Sequence, residues 1–370
     1  QVQIWRDWRL PNEKIGRWGA EGMADSRDPM SDKLTDGFPL INQTALKSKS
    51  PHPPILRSPH LPTSHRSIAL ILPTSLCSGQ VARMMVDRLN QSELADQLGV
   101  ERFETLVHTE GCGFSKGAHA LFVRSLIGYL QHPMVSHALL LEHGCEKTHN
   151  DYFRQRFAEA GLKEADFGWA SIQADGGIVT VMDKIERWFE AQPRGMARQH
   201  NAAQGLSLAL VGAPHTQDQI PPLIEAVIGG GGSVILPEKG APLDVQQAFG
   251  LSGGITLSYG QRPAAPGLHI METPTDNWAE TLTGLGAAGP NLIAAFSQTH
   301  PQPGHPLVPT LQIRWEDAKA FEEDYDLSRF DFDKLIQLMG DTLAGHYEPV
   351  SKRTENHVFQ MTRGTRGISL

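Results

Sequence analysis

Ser67-Ile68-Ala69-Leu70-Ile71-Leu72, followed by Pro73-Thr74-Ser75-Leu76-Cys77-Ser78-Gly79, decides how this chain folds. A short, nearly continuous apolar run that breaks at a polar turn and continues into helix-forming sequence is the pattern of a buried parallel strand feeding a crossover helix. The unit recurs three times before Val181. Its later apolar runs are Phe103-Glu104-Thr105-Leu106-Val107, Ala138-Leu139-Leu140-Leu141 and Phe167-Gly168-Trp169-Ala170-Ser171-Ile172. The turns that follow are His108-Thr109-Glu110-Gly111-Cys112-Gly113, the stretch from Glu142 to Asp151, and Gln173-Ala174-Asp175-Gly176-Gly177.

The chain holds three cysteines, and each lies in one of these turns. Right-handed crossovers return every parallel strand in the same direction, so the carboxyl ends share one edge of the sheet. Open α/β sheets bind ligands in the crevice at that edge. Cys77, Cys112 and Cys145 are therefore expected to be neighbours in space, with His108, Glu110, Glu142, His143, Glu146 and His149 around them.

Outward from this core, the amphipathic stretches Gly79–Asn90 (Ser78 as its cap) and 116–131 (apolar at Leu121, Leu126, Ile127 and Leu130) predict the first two crossover helices. A third opens at Asn150 or Asp151, and a fourth runs through Ile185-Glu186-Arg187-Trp188-Phe189. Polar sequence from Gln192 to Gln204, with Pro193 and Gly195, reads as a linker. A second α/β region follows, with strands at Leu206–Gly212, Ser233–Leu236, Ile255–Tyr259, Leu268–Met271, Asn291–Phe296 and Thr310–Arg314 and helices at Gln219–Ile228 and Trp278–Leu285. The basic tail, Lys352–Leu370, is expected to pack back onto the fold. Residues 1–66 are rich in Pro, Ser, Lys and His without either period and read as an irregular extension. The expected organisation is thus 1–66 irregular, 67–200 a cysteine-bearing α/β domain, and 201–370 a second α/β domain. Together these make two Rossmann-like lobes with mostly parallel sheets.

The 370 residues carry a formal net charge of -8, which argues against a nucleic-acid partner. No apolar run reaches the roughly 18 residues of a membrane span, the start lacks the pattern of a secretory signal, and three cysteines do not make a disulfide framework; a cytoplasmic location is expected. Thiolates are soft ligands that suit iron, zinc or an Fe–S cluster. The spacing is no CxxC knuckle, which speaks against structural zinc. Cys77, Cys112, Cys145 and Glu146 are the candidate metal ligands. His108, Glu110, Glu142, His143, Lys147 and His149 are the candidate acid–base groups, since burial can tune such side chains toward neutral pH. Ser78, Gly111, Gly113, Asn150, Asp151, Glu272 and Thr273 are candidate substrate contacts, the glycines because they permit close backbone approach. The bland alternatives are helix capping for His149 and Asp151 and turn chemistry for Glu272, Thr273 and Asp175–Gly177. Gly304-His305-Pro306 is a weaker candidate of the same kind. The glycines of Glu110–Gly113 and Asp175–Gly177 do not make GxGxxG, and no P-loop lysine pattern is present, so a nucleotide is disfavoured.

Thr74-Ser75-Leu76-Cys77-Ser78, His108-Thr109-Glu110-Gly111-Cys112-Gly113, Gly128-Tyr129-Leu130-Gln131-His132-Pro133, Glu142-His143-Gly144-Cys145-Glu146, and Met271-Glu272-Thr273-Pro274 followed by Thr281-Leu282-Thr283-Gly284-Leu285-Gly286-Ala287, in that order, resemble the altronate/galactarate dehydratase family. The resemblance implies a hydro-lyase that eliminates water from a sugar acid to give a 2-keto-3-deoxy acid. It implies iron, as Fe2+ or an Fe–S cluster, or another divalent metal. Relatives include a sulfo-lyase acting on sulfolactate, and a non-catalytic Fe or Fe–S subunit is the alternative from another class. The family's first strand is usually preceded by a Gly/Arg-rich segment, where this chain has Leu61-Pro62-Thr63-Ser64-His65-Arg66. Fused members begin with a small substrate-binding domain that residues 1–66 do not resemble, so a separate small subunit is the implied partner, alongside homo-oligomerisation.

Overall fold

Two parallel sheets, each wound in both directions from its first strand, make up the computed structural model, which describes residues 67–113, 117–195, 205–212, 220–242, 257–315 and 320–364. All of them fall within one unit, Leu40–Leu370. The expectations for residues 1–66, the linker portion 196–204 with its domain junction, and Ile255 and Thr256 lie outside the described residues.

The first sheet contains β1 (Ile68–Pro73), β2 (Arg102–Thr105), β3 (Val135–Glu142) and β4 (Gly168–Ser171), in the order β2-β1-β3-β4. All three pairings are parallel. β1 is buried along its whole length, as a central strand with apolar residues on both faces must be. The crossovers are α1 (Leu76–Asn90) with the short α2 (Leu94–Leu98), α3 (Ala118–Leu130) and α4 (Asn150–Glu159), and α5 (Ile178–Glu190) follows β4. Val81, Met85 and Leu89 of α1 and Val181, Ile185 and Phe189 of α5 pack on one face of the sheet. Phe122 and Leu126 of α3 and Phe153 and Phe157 of α4 pack on the other. The strand order therefore reverses between β1 and β3, the strands whose turns carry Cys77 and Cys145.

The second sheet contains β5 (Ser207–Gly212), β6 (Ser233–Pro237), β7 (Gly267–Met271), β8 (Leu292–Ser297) and β9 (Thr310–Arg314), in the order β7-β6-β5-β8-β9, again all parallel. Leu223, Ile224 and Val227 of α6 (Ile220–Gly229) and Leu335 and Met339 of α8 (Phe332–Ala344) cover one face. Leu282 and Leu285 of α7 (Trp278–Ala287) cover the other. The strand expected at 255–259 reduces to a single bridge from Leu257 to Met271. The helix α8 was not anticipated, nor was the short α9 (Val350–Arg353) beside β9.

One hydrophobic cluster runs through both sheets, joining Leu70, Leu140 and Tyr129 to Ala209, Ile235 and Ile293. The two halves meet between α3 and α7. A Cβ built on Gly128 would lie 2.5 Å from the Ala287 carbonyl oxygen, so only glycine lets these helices meet. Tyr129 donates its hydroxyl proton to the Thr283 carbonyl oxygen at 2.5 Å and lies 2.9 Å from His305 Nε2. His305 accepts the Leu307 and Val308 amides at Nδ1, so its proton sits on Nε2 and points at Tyr129. His305 is thus a buried part of this seam, and burial pushes its pKa down to about 3. Two of the quoted motifs, around Gly128-Tyr129 and Thr283-Gly284, serve this seam.

A candidate active site of three converging thiols

The three cysteine turns meet where the topology puts them. Cys112 Sγ lies 3.7 Å from Cys145 Sγ, and the Cys77 thiol is close enough to Cys112 for the two to interact. The Nδ1 atom of His143 is 3.2 Å from Cys145 Sγ. Cys77 and Cys145 are exposed and Cys112 is half-buried, so this is an accessible cluster and not three separate buried thiols. Desolvation pushes the Cys145 thiol up to about 11, and the neighbouring Cys112 and Glu146 add to it. Cys77 is raised for the same reasons, desolvation first and then Cys112.

Backbone hydrogen bonds stitch the turns together. The Leu76 amide donates to the Glu110 carbonyl at 2.6 Å, and the Lys147 amide donates to the Cys112 carbonyl at 3.1 Å. The first helix starts earlier than expected: Ser75, not Ser78, is its N-cap. Ser78 is fully buried, and its hydroxyl donates to the Ser75 carbonyl oxygen at 3.0 Å. A hydroxyl turned into its own helix end is not presented to a ligand.

Glu146 is the anchor of the third turn. Its Oε1 accepts from the Thr74 and Ser75 hydroxyls and from the His143 amide, each at 2.9 Å. Its Oε2 accepts from the Gly144 amide at 2.7 Å and the Cys145 amide at 3.0 Å. Burial alone would raise this carboxyl, but the backbone N–H groups and the Thr74 hydroxyl outweigh it and hold the pKa below the usual range. Oxygens of Glu146 lie within 4.8 Å of donor atoms of His143 and Cys145, yet both are spent on the loop. Gly144, at φ 113°, makes the sharp bend that aims these amides inward.

The remaining candidates sort by what they touch. His108 is buried; its Nε2–H donates to the Pro73 carbonyl at 3.0 Å and its Nδ1 accepts the Glu110 amide at 3.2 Å. Burial pushes its pKa to about 4, so the ring stays neutral and both nitrogens are engaged. Glu110 is buried and pairs with Arg363 through Oε1 at 2.9 Å. Burial raises its carboxyl while the Arg363 guanidinium pulls it down, and burial wins. Glu142 accepts the backbone amide of Asn150, which holds the start of α4 on the end of β3. His149 caps α4, accepting the Tyr152 amide at Nδ1, and Asp151 pairs with Arg154 on the surface.

That leaves His143 and Lys147 as the acid–base groups facing the thiols. A Cβ on Gly113 would stand 3.9 Å from Lys147 Nζ, so the ammonium lies over the glycine turn beside Cys112. Gly111 is half-exposed in that same turn. Asn150 donates through Nδ2 to the Ala170 carbonyl, while its buried Oδ1 has no partner among the described residues.

Thr273 accepts the Lys239 amide at 2.8 Å, which is turn chemistry in the second sheet. Glu272 is exposed, and its charge acts on Arg124 of α3, opposing the lowering that burial imposes on that guanidinium. The Asp175–Gly177 turn is a tight turn held by Asp175, which accepts the Ser171 amide and pairs with Lys184. Residues that sequence reasoning did not single out are Thr74 and Ser75, whose hydroxyls serve Glu146, and Arg363, the partner of Glu110. Thr74 and Ser75 sit next to a cysteine turn, which was the available signal. Arg363 lies 253 residues from its partner, and only the basic tail hinted at it.

The parallel α/β lobe thus gathers three thiols at one edge of its sheet. Residues 63–195, which contain all three cysteines, match the family model described as D-galactarate dehydratase/altronate hydrolase, second domain. The chain matches no curated protein. Among the described residues no helix is long and apolar enough to cross a membrane.

Proposed function

We propose that the chain is the catalytic part of a sugar-acid dehydratase, eliminating water from an aldonate or aldarate such as altronate or galactarate to give a 2-keto-3-deoxy acid. The observation that carries this reading is the convergence of Cys77, Cys112 and Cys145 on one edge of a lobe that matches the second domain of that family. Three accessible thiols with an imidazole beside them form a donor set that suits iron, and Cys77, Cys112 and Cys145 are the residues that would hold it. Such a metal supplies Lewis acidity toward oxygen when bound.

The chain's own side chains account for the rest. Lys147, poised over the glycine turn, takes the substrate carboxylate. His143 removes the proton from C2 as hydroxide leaves C3, and the enol so formed tautomerises to the keto acid. The Asn150 Oδ1 accepts a substrate hydroxyl. Glu146, His108 and Glu110 keep the three turns in place. A separate small subunit completes the substrate pocket, and the protein works in the cytoplasm.

The test is turnover. Iron-loaded, anaerobically handled protein is supplied with galactarate and altronate, with and without the small subunit of a related split dehydratase, and 2-keto-3-deoxy acid is measured. Activity is expected, with loss in Cys112→Ser and in His143→Gln. No keto acid from either substrate under both conditions, or release of sulfite from sulfolactate instead, would overturn the reading.

A further inference from the structure

The second sheet has a switch point of its own, and a cleft opens there. From β5 the chain winds outward through β6 to β7, then crosses to the other side of β5 for β8 and β9. The helix α6, which follows β5, packs on one face, while Leu307 and Val308 of the connection that follows β8 pack on the other, so the connections leaving these two strand ends diverge and leave a crevice between β5 and β8. A cavity of about 340 Å³ lies at that place, reached by Gly212 at the end of β5, Lys239 after β6, and Phe296 through His300 at the end of β8. Its volume suits a small organic molecule. Among the described residues, none of its lining comes from the cysteine-bearing lobe.

The walls are built, not incidental. Gly212 has φ 128°, and a Cβ there would come within 1.9 Å of the Phe296 carbonyl oxygen, so glycine is required where β5 closes on β8. The loop after β8 is held from beneath by Arg314, which is fully buried and donates to the Thr299 and Ala320 carbonyls at 3.2 and 2.6 Å. Ser297 is tied to the Tyr325 hydroxyl at 2.7 Å. The Lys239 turn is fixed by the Thr273 hydroxyl. Trp278 and Phe296 give the cleft apolar surface, while Gln298, Thr299 and His300 line it with amide, hydroxyl and imidazole groups. Lys239 brings positive charge. Its acidic neighbour Asp276 is 3.8 Å away and 86% exposed, too loose to neutralise it.

We propose that this cleft is a second ligand site, which binds a small hydroxylated organic anion, with Lys239 taking the charged end and the Gln298–His300 loop the hydroxyls. The site is independent of the dehydratase reading, since it uses none of the cysteine-turn residues. A carboxylate and a phosphate ester present the same oxyanion chemistry to an ammonium group, and the test separates them.

Isothermal titration of the full chain with D-gluconate and, separately, with D-glucose 6-phosphate reads the site. At least one probe is expected to bind at this cleft, over and above any aldonate taken up at the cysteine turns. Binding of gluconate alone assigns a carboxylate ligand, of the sugar phosphate alone a phosphate ester, and of both a general oxyanion site. Removing the charge in Lys239→Gln should weaken binding about tenfold or more, the scale of a charge-assisted hydrogen bond. Gln298→Trp, a substitution at an exposed position, should fill the cleft and abolish binding. Cys112→Ser should leave it unchanged. The proposal is overturned if neither probe binds, if Lys239→Gln and Gln298→Trp both bind like the parent, or if Cys112→Ser loses binding that Gln298→Trp keeps.

Discussion

Replacing Glu146 by glutamine tests the central physical claim, that one buried carboxylate positions the Cys145 turn. The carboxylate accepts five hydrogen bonds, three from backbone amides and two from hydroxyls. Glutamine keeps an acceptor at one oxygen and places an NH2 group at the other. If the NH2 takes the Oε2 position, it faces the Gly144 and Cys145 amides, donor against donor. If it takes the Oε1 position, it opposes the His143 amide, while the Thr74 and Ser75 hydroxyls can turn to accept. The loss is one or two charge-assisted bonds at about 1.5–3 kcal/mol each, or about 1.5–6 kcal/mol. The upper end of that range is a large part of the 5–15 kcal/mol typical of a folded domain. Urea melts should therefore show a markedly lower midpoint in Glu146→Gln. Because the turn can open locally before the core unfolds, Cys145 should also react faster with a thiol reagent under native conditions. The pH dependence carries the same signature. Burial works against the carboxylate, but the hydrogen bonds win and hold its pKa below the usual 4.5. Its stabilisation is then complete above that usual value and is lost as pH falls through the lowered one. The variant should lack this part of the acid limb. A Glu146→Gln protein with the parent's urea midpoint and the parent's Cys145 labelling rate would refute the claim.

Gly128→Ala forces a Cβ to 2.5 Å from the Ala287 carbonyl, so the α3–α7 seam must shift; a loss of about 1–3 kcal/mol is expected, and an unchanged calorimetric melt would contradict the seam. Arg363→Met leaves the buried Glu110 carboxylate without its guanidinium and should destabilise by about 3 kcal/mol, with Glu110→Gln in the same chain recovering most of it; additive losses in the double-mutant cycle would deny the pairing. His108 is held neutral by burial at a pKa of about 4 against 6.5 for the free group, so it contributes stability that is complete above 6.5 and lost as pH falls from there to about 4, up to about 3 kcal/mol. His108→Gln should flatten melting temperature against pH over that range. Treatment with diamide should close Cys112 and Cys145, already 3.7 Å apart, into a disulfide and leave Cys77 available for labelling; peptide mapping that finds Cys77 oxidised first would count against the observed geometry.

The architecture was legible because its signals are local. Most strands show as apolar runs, although β2 (Arg102–Thr105) is apolar only at Phe103 and starts and ends before the run that signalled it, and Thr310–Arg314 has the same limits in sequence and structure. Phe332–Ala344 was missed although it is amphipathic and capped by Asp331, because its apolar residues follow a 3-10 turn and a polar stretch with no strand signal between. The meeting of the three cysteines was legible from topology alone, since parallel crossovers leave few other arrangements. Individual roles were not. His108, Glu110 and Glu142 look like chemical groups in sequence, and what engages them is Pro73, Arg363 and the Asn150 amide. Two of those partners are backbone atoms, which carry no side-chain signature, and the third lies at the far end of the chain. Likewise Glu272 and Thr273 lie in a stretch that resembles the dehydratase family in sequence, yet the Glu272 charge acts on Arg124 and Thr273 accepts the Lys239 amide.

These assignments share one logic. Each cysteine turn has its own buried polar pin: Ser78 for the first, His108 with Glu110 for the second, and Glu146 for the third. In each case the pin spends its donors or acceptors on backbone or on a fixed partner, and the thiol one to four residues away is left uncommitted. Pre-organisation of this kind removes the entropy of ordering three loops from any later binding step. It also divides the effects of mutation into two kinds. Changing a thiol should remove the chemistry and leave the melt nearly intact, because Cys77 and Cys145 are exposed and contribute little packing. Changing a pin should lower the melt and, through a displaced turn, alter thiol reactivity while every thiol remains present. A pin variant that loses activity with an unaltered melt and unaltered labelling would place that residue among the reacting groups instead.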